Sequence, residues 1–210
     1  MNEPVIAWPT PAPAKPKRAR KKAVDALDTA HAALKLTPVE RLPGNNADTF
    51  VALDFETADS GRDSACAIAM VRVENGAIVR RFSRLIRPPR SSFPNAWVHG
   101  IRWEDVRNER TFAELWPEMS PMFEGASYLV AHNAPFDRSV LRACCAAANV
   151  VEPAIPFECS MKMTRKIWKL ASAKLNVICA HLGIPLKHHD AASDAEACAL
   201  VVLAARRENL

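Results

Sequence analysis

The sequence predicts a mixed α/β domain behind a basic, disordered N-terminal tail. Three features carry that expectation: where the charge lies, an apolar strand followed by an Asn-Gly hairpin, and helical periodicity in the second half. The 210 residues hold 28 Lys and Arg against 23 Asp and Glu, a net charge of +5. The excess falls in residues 1–22, which carry six basic side chains and only Glu3, while the other 188 residues hold 22 of each sign. A Pro-, Ala- and Lys/Arg-rich segment of this kind buries too little apolar surface to offset its ordering entropy. Residues 23–36 fit a short helix, and Pro38, Pro43 and Gly44-Asn45-Asn46 read as a linker. The expected division is therefore a tail and linker over 1–47 and a domain over 48–210.

Within the domain, residues 50–56 (FVALDFE) read as a strand buried on both faces. Residues 66–73 and 77–86 read as two more, joined at Glu74-Asn75-Gly76, a strong hairpin signal. A Pro-rich stretch follows at 88–94, then a helix over 111–124 interrupted by Pro117 and Pro121. A short strand is expected at 127–131 and a helix from Pro135 to Ala148. Further helices are expected at 160–170, 174–182 and 191–207. Antiparallel strands followed by strand and helices give a mixed sheet with helices packed on it.

Several classes are disfavoured. No apolar run approaches the roughly 20 residues that span a bilayer, and the N-terminus lacks the pattern of a secretory signal. A cytoplasmic protein with no membrane partner is therefore the expectation, with the nucleoid as one setting. The six cysteines form no Cys-x-x-Cys pair and sit in apolar surroundings, as buried free thiols do. The six glycines form no phosphate-cradling loop. Ser193 and His189 lie outside any Gly-x-Ser-x-Gly context.

The carboxylates carry the chemistry. Strand side chains alternate, so Asp54 and Glu56 project from one face and Phe55 from the other. Two such acids on an apolar strand repel each other unless a cation lies between them, and a divalent metal with oxygen ligands provides one. Asp137 follows Ala131-His132-Asn133-Ala134-Pro135-Phe136, a strand end, a polar turn and a helix start. In a first helical turn an acid also suits the helix dipole. His188-His189-Asp190-Ala191-Ala192-Ser193-Asp194 places an imidazole about one turn before another acid. Lys162, Arg165, Lys166 and Lys169 recur at three- and four-residue spacing, which suits phosphate contacts or a solvated face. His99 lacks an acid partner in sequence and reads as structural.

In order, the motifs are Asp-x-Glu-Thr at 54–57, Asn-x-x-x-Asp at 133–137 and His-x-Ala-x-x-Asp at 189–194. With the hairpin, VHGI at 98–101 and KLNVICAHLGI at 174–184, this pattern resembles the DEDDh class of DnaQ-like exonucleases. RNase T, oligoribonuclease and the DNA polymerase III epsilon-like proofreading subunits are its relatives. The resemblance covers residues 48–205 and implies a ribonuclease H-like fold and 3′→5′ exonuclease activity, with a setting such as DNA repair. It implies that Asp54, Glu56, Asp137 and Asp194 hold two Mg²⁺ or Mn²⁺ ions, with His189 as general base and the adjacent His188 as its competitor. Around the substrate it places Thr57, Phe55, His132, Asn133, Arg165 and Lys166. The implied partner is a 3′ end of DNA or RNA, with the basic tail as a non-specific nucleic-acid contact. Two alternatives are an exoribonuclease for short or structured RNA and a non-catalytic nucleic-acid-binding module. Family members commonly begin the first motif Asp-x-Glu-Thr-Thr-Gly. Here it continues Thr57-Ala58-Asp59, which implies a differently built loop near the terminal base.

Overall fold

The computed structural model describes residues 49–208, which lie within one compact unit, Arg41–Leu210. The expected tail, the helix at 23–36 and the linker fall outside the described residues.

Five strands form one sheet: β1 (Phe50–Thr57), β2 (Ala65–Glu74), β3 (Ala77–Leu85), β4 (Tyr128–Ala131) and β5 (Phe157–Cys159). Their order is β3-β2-β1-β4-β5. β1 pairs antiparallel with β2 and β2 antiparallel with β3, while β4 pairs parallel with β1 and β5 parallel with β4. The β2–β3 hairpin turns at Asn75 and Gly76, with φ of 50° and 77°. These are the two left-handed positions that make Asn-Gly the favoured pair.

Among the described residues, seven helices accompany the sheet: α1 (Ala96–His99), α2 (Trp103–Val106), α3 (Phe112–Met119), α4 (Ala134–Ala147), α5 (Ser160–Ile167), α6 (Leu175–Leu182) and α7 (Ala191–Glu208). α3 starts in a reciprocal capping box between Thr111 and Glu114, carries Pro117 inside and ends in a 3-10 turn at Ser120–Met122. The expected strands and longer helices thus fall where hydrophobic period and turn residues place them. β5, α1 and α2 depart from that expectation. Each is only three or four residues long, too short for a periodic signal, and β5 exists by pairing with Leu129–Ala131 of β4.

β1 is central and buried on both faces. Val51, Leu53 and Phe55 point into one core with Phe112, Leu115, Leu141 and Cys145. Phe50 and Ala52 point into the other, against α7. α7 presents Ala191, Ala195, Cys198, Ala199 and Val202 to that face, a helical stripe of mostly small side chains. The edge strand β3 is marked by Arg80, Arg81 and Arg84, and two of these are paired, Arg81 with Glu196 and Arg84 with Glu118. Charge of this kind discourages edge-to-edge association.

The loop after β1 is clasped. Arg90 donates to both oxygens of Asp59 and both of Asp63, at 2.5–3.2 Å. Asp59 also accepts the Gly61 N–H at 2.7 Å. A Cβ at Gly61 would press on this fork, so a larger residue there would make the Arg90, Asp59 and Asp63 side chains shift. Asp59 anchors this loop through Arg90 and the Gly61 N–H.

Because Leu53 is fully buried at the centre of the sheet, Leu53→Ala should lower unfolding free energy by about 2–5 kcal/mol. Urea denaturation would show this as a lower midpoint with an unchanged slope.

Candidate active site

The two acids of β1 lie on the face that receives α7. Directly across from them on β2 stand Ala69 and Ala67, whose small side chains leave space beside the carboxylates. A register irregularity falls between Glu56 and Thr57, the kind of bulge that re-aims side chains at the end of a strand. Asp194 lies on the buried stripe of α7, between Ala191 and Ala195, and is 5% exposed. Asp137 lies on the buried face of α4 with Val140, Leu141 and Cys144, and is 2% exposed. Its Oδ1 accepts the N–H of Phe55 at 3.0 Å. The fourth acid therefore grips the strand backbone between Asp54 and Glu56.

Burial and mutual repulsion dominate the electrostatics. Asp54 is pushed well above the usual carboxylate range by burial first, then by Asp137, Asp194, Glu56 and Asp190. Burial pushes Glu56 up to about 8, with Asp194 and Asp137 adding to it. Asp137 also rises to about 8 through burial, against the opposing pull of the Phe55 N–H and of Arg62. Burial raises Asp194 as well, while the His189 N–H and His188 hold it down. The leading influences on Asp54 and Glu56 all act upward, so among the described residues no cation offsets their burial. Hard oxygen donors that are crowded, desolvated and short of positive charge fit divalent cations such as Mg²⁺ or Mn²⁺.

His188 and His189, at the head of the third motif, both reach Asp194. His188 places Nδ1 3.1 Å from Asp194 Oδ2, and the His189 backbone N–H donates to the same oxygen at 3.0 Å. The two rings stack at 3.9 Å. His189 has a φ of 64°, an uncommon conformation for a residue with a side chain. The loop is tied to α7 by the Lys187 N–H donating to Ser193 Oγ at 2.8 Å and by Asp190 accepting the Ser193 N–H at 3.3 Å. His188, His189 and Asp194 can bring one ligand atom each within 4.8 Å of one another.

The remaining expected residues divide. Thr57 lies at the rim, where its Oγ1 and carbonyl accept from the Asn95 amide, each at 3.2 Å. His99 takes the Ile101 N–H on Nδ1, which leaves Nε2–H to donate to the Thr57 carbonyl at 3.2 Å. His132 bridges Ser160 Oγ and the Ala173 carbonyl at 2.9 and 2.7 Å, and Asn133 adopts a φ of 77° before α4. Both shape the turn that delivers Asp137. Arg165 and Lys166 are exposed near the end of α5, and Lys169 lies beyond it with a φ of 48°. Phe55 requires a correction: its ring is 3% exposed and packed in the core, so only its backbone N–H serves the site. Asn95 and Arg90, which fix the rim, escape sequence reasoning because their partners lie 27 to 38 residues away.

A model described as RNase_T, exonuclease, matches residues 51–202. The PolC-type DNA polymerase III of Thermotoga maritima is 35% identical over 159 residues, 74% of this chain and 12% of that protein. The protein named 3′-5′ exonuclease DinG of Bacillus subtilis is 32% identical over 168 residues, 75% of this chain and 18% of its own. The chain thus spans less than a fifth of either relative. Among solved structures, exonuclease X in complex with 5′ overhanging duplex DNA superposes with a TM-score of 0.62 at 24% identity, covering 75% of this chain and 91% of that one.

A carboxylate whose pKa rises on folding holds its proton more tightly in the folded chain. Its contribution to stability is present below the unfolded pKa, about 4, and is lost as pH rises through the folded value. The melting temperature of metal-free protein should therefore fall between about pH 5 and 8, as Glu56 and Asp137 ionise. Saturating Mn²⁺ should reverse the fall, most strongly at the high end. Asp54→Asn, which removes one of the crowded charges, should stabilise metal-free protein at pH 8 by about 1–3 kcal/mol.

Proposed function

The chain belongs to the RNase_T exonuclease family, and on that premise we propose that it hydrolyses the terminal phosphodiester at the 3′ end of DNA, releasing nucleoside 5′-monophosphates. The observation that carries this reading is the convergence of Asp54, Glu56, Asp137 and Asp194, whose ionised forms are unfavourable without a cation. The 3′→5′ direction is supported by the name of the Bacillus relative, and DNA as substrate by that of the Thermotoga polymerase.

Asp54, Glu56, Asp137 and Asp194 would hold two divalent cations, which when bound supply Lewis-acid stabilisation of the attacking and leaving oxygens. Asp54 occupies the centre of the set, since the other three acids all act on it. The Phe55 N–H fixes Asp137 against the strand. His189 accepts a proton from the attacking water, a role worth about 10²–10⁴-fold in rate. Its exposed position before α7, held by its own N–H to Asp194, keeps the imidazole beside the carboxylates. His188, hydrogen-bonded to Asp194, orients that carboxylate. Thr57, braced by Asn95 and His99, forms the rim where the terminal nucleotide lies.

Single-stranded DNA and RNA of matched sequence, labelled at the 5′ end, provide the test. With Mg²⁺ or Mn²⁺ the DNA should shorten stepwise from its 3′ end, and EDTA or Asp54→Asn should stop it. Faster shortening of RNA would reassign the sugar preference, and no shortening of either would remove the nuclease reading. His189→Ala should lower kcat by about 10²–10⁴-fold, with a smaller loss in His188→Ala. The reverse ranking would assign the base to His188.

A further inference from the structure

A second charged feature lies on the outer side of α4, the helix that carries Asp137. α4 and α5, with the β1–β2 loop and β5, enclose an open cleft of about 630 Å³ lined by Arg62, Arg138, Arg142 and Lys162. That volume is within the range of small-ligand sites. All four side chains belong to exposed residues. Among the described residues, Arg62, Arg138 and Lys162 have no carboxylate within ion-pairing distance. Arg142 reaches Glu152 at 3.3 Å. On the β3 side of the sheet Arg81, Arg84, Arg87 and Arg110 are each matched to a glutamate, and among the described residues Arg80 there has no carboxylate within ion-pairing distance. Residues 23–210 balance their charges, so the cleft is a local positive surface on a neutral background.

Its position relates it to the site. The first turn of α4 carries Asp137 inward and the next residue, Arg138, outward to the cleft. Arg62 stands at the junction, its guanidinium 4.6 Å above the Phe136 ring. The loop that carries Arg62 is the one clasped by Arg90. Phe157 on β5 adds an aromatic side chain to the lining, a surface suited to base stacking.

A polyanion that delivers its end to four carboxylates meets repulsion along the way, and cations beside the approach offset it. We infer that the cleft between α4 and α5 is a backbone-binding groove that takes phosphates a few nucleotides 5′ of the bond being cut. The inference rests on the exonuclease reading and extends it from the terminal bond to substrate length. Arg138 and Arg142 are one helical turn apart and face the same space, so successive phosphates can be held by the rigid wall of α4.

The test uses the full chain with Arg138→Gln, Arg142→Gln and Lys162→Gln combined, checked for folding by its melting temperature. Two substrates are compared in Mn²⁺: a 12-nucleotide single-stranded DNA and the p-nitrophenyl ester of thymidine 5′-monophosphate, which is too short to enter the groove. The ratio of kcat/KM for the long over the short substrate should fall at least about tenfold, mainly through KM of the 12-mer. The slope of log kcat/KM against log salt for the 12-mer should become shallower by about 2. A second variant, Arg138→Lys with Arg142→Lys, should keep the ratio within about threefold of wild type. An unchanged ratio in the glutamine variant overturns the groove. If a polyglutamate peptide then binds the wild-type cleft, the cations serve an acidic protein segment instead. Wild-type protein that cleaves the ester without favouring the 12-mer overturns the groove alone. Wild-type protein that cleaves neither substrate overturns the exonuclease reading and the groove with it.

Discussion

Placing Asp137 and Asp194 out of water beside Asp54 and Glu56 works against folding, because desolvation and like-charge repulsion both penalise the ionised acids. The penalty appears as the upward shift of all four. A domain retains such a cluster only if the surrounding packing is strong enough to hold it and if something positive relieves it. The two cores on either face of β1 supply the packing. They fix the strand, and the strand fixes the spacing of Asp54 and Glu56. α4 and α7 are anchored by apolar stripes that each include one acid. The carboxylates are thus carried to a common point by the same contacts that stabilise the fold.

Polar contacts then refine what packing sets. The Phe55 N–H holds Asp137 against β1, and the loop before α7 gives Asp194 two donors. The rim is held by Asn95 and His99 on Thr57, and the next loop by Arg90 on Asp59 and Asp63. These groups restrain side chains and backbone that a bound cation or nucleotide would otherwise have to order, which is how preorganisation favours binding.

Much of this is legible in the chain. The alternation in FVALDFE places Asp54 and Glu56 on one face and Phe55 on the other, as the structure has them. Asn75-Gly76 marks the hairpin, and the apolar period marks α4 and α7. Contacts that depend on distant partners are not legible. Asp137 reads in sequence as an acid at the positive end of a helix, and only the fold brings it to the Phe55 N–H, 82 residues away. β5 is a strand because β4 offers it hydrogen bonds, and Asp59 anchors a loop because Arg90 reaches it. The resemblance to the exonuclease motif implies His189, yet the structure brings His188 into contact with Asp194 as well. Arg62, Arg138 and Lys162 come from three separate elements and share no motif.

In the proposed reading, burial makes these acids retain protons that divalent cations displace on binding. Calorimetric titration of Mn²⁺ into the metal-free protein at pH 7, repeated in buffers of different ionisation enthalpy, measures that displacement directly. With Glu56 and Asp137 both shifted to about 8, binding should release about one to two protons per chain, and the apparent enthalpy should change with the buffer accordingly. Binding with an enthalpy independent of buffer, or no binding at all, would contradict the account.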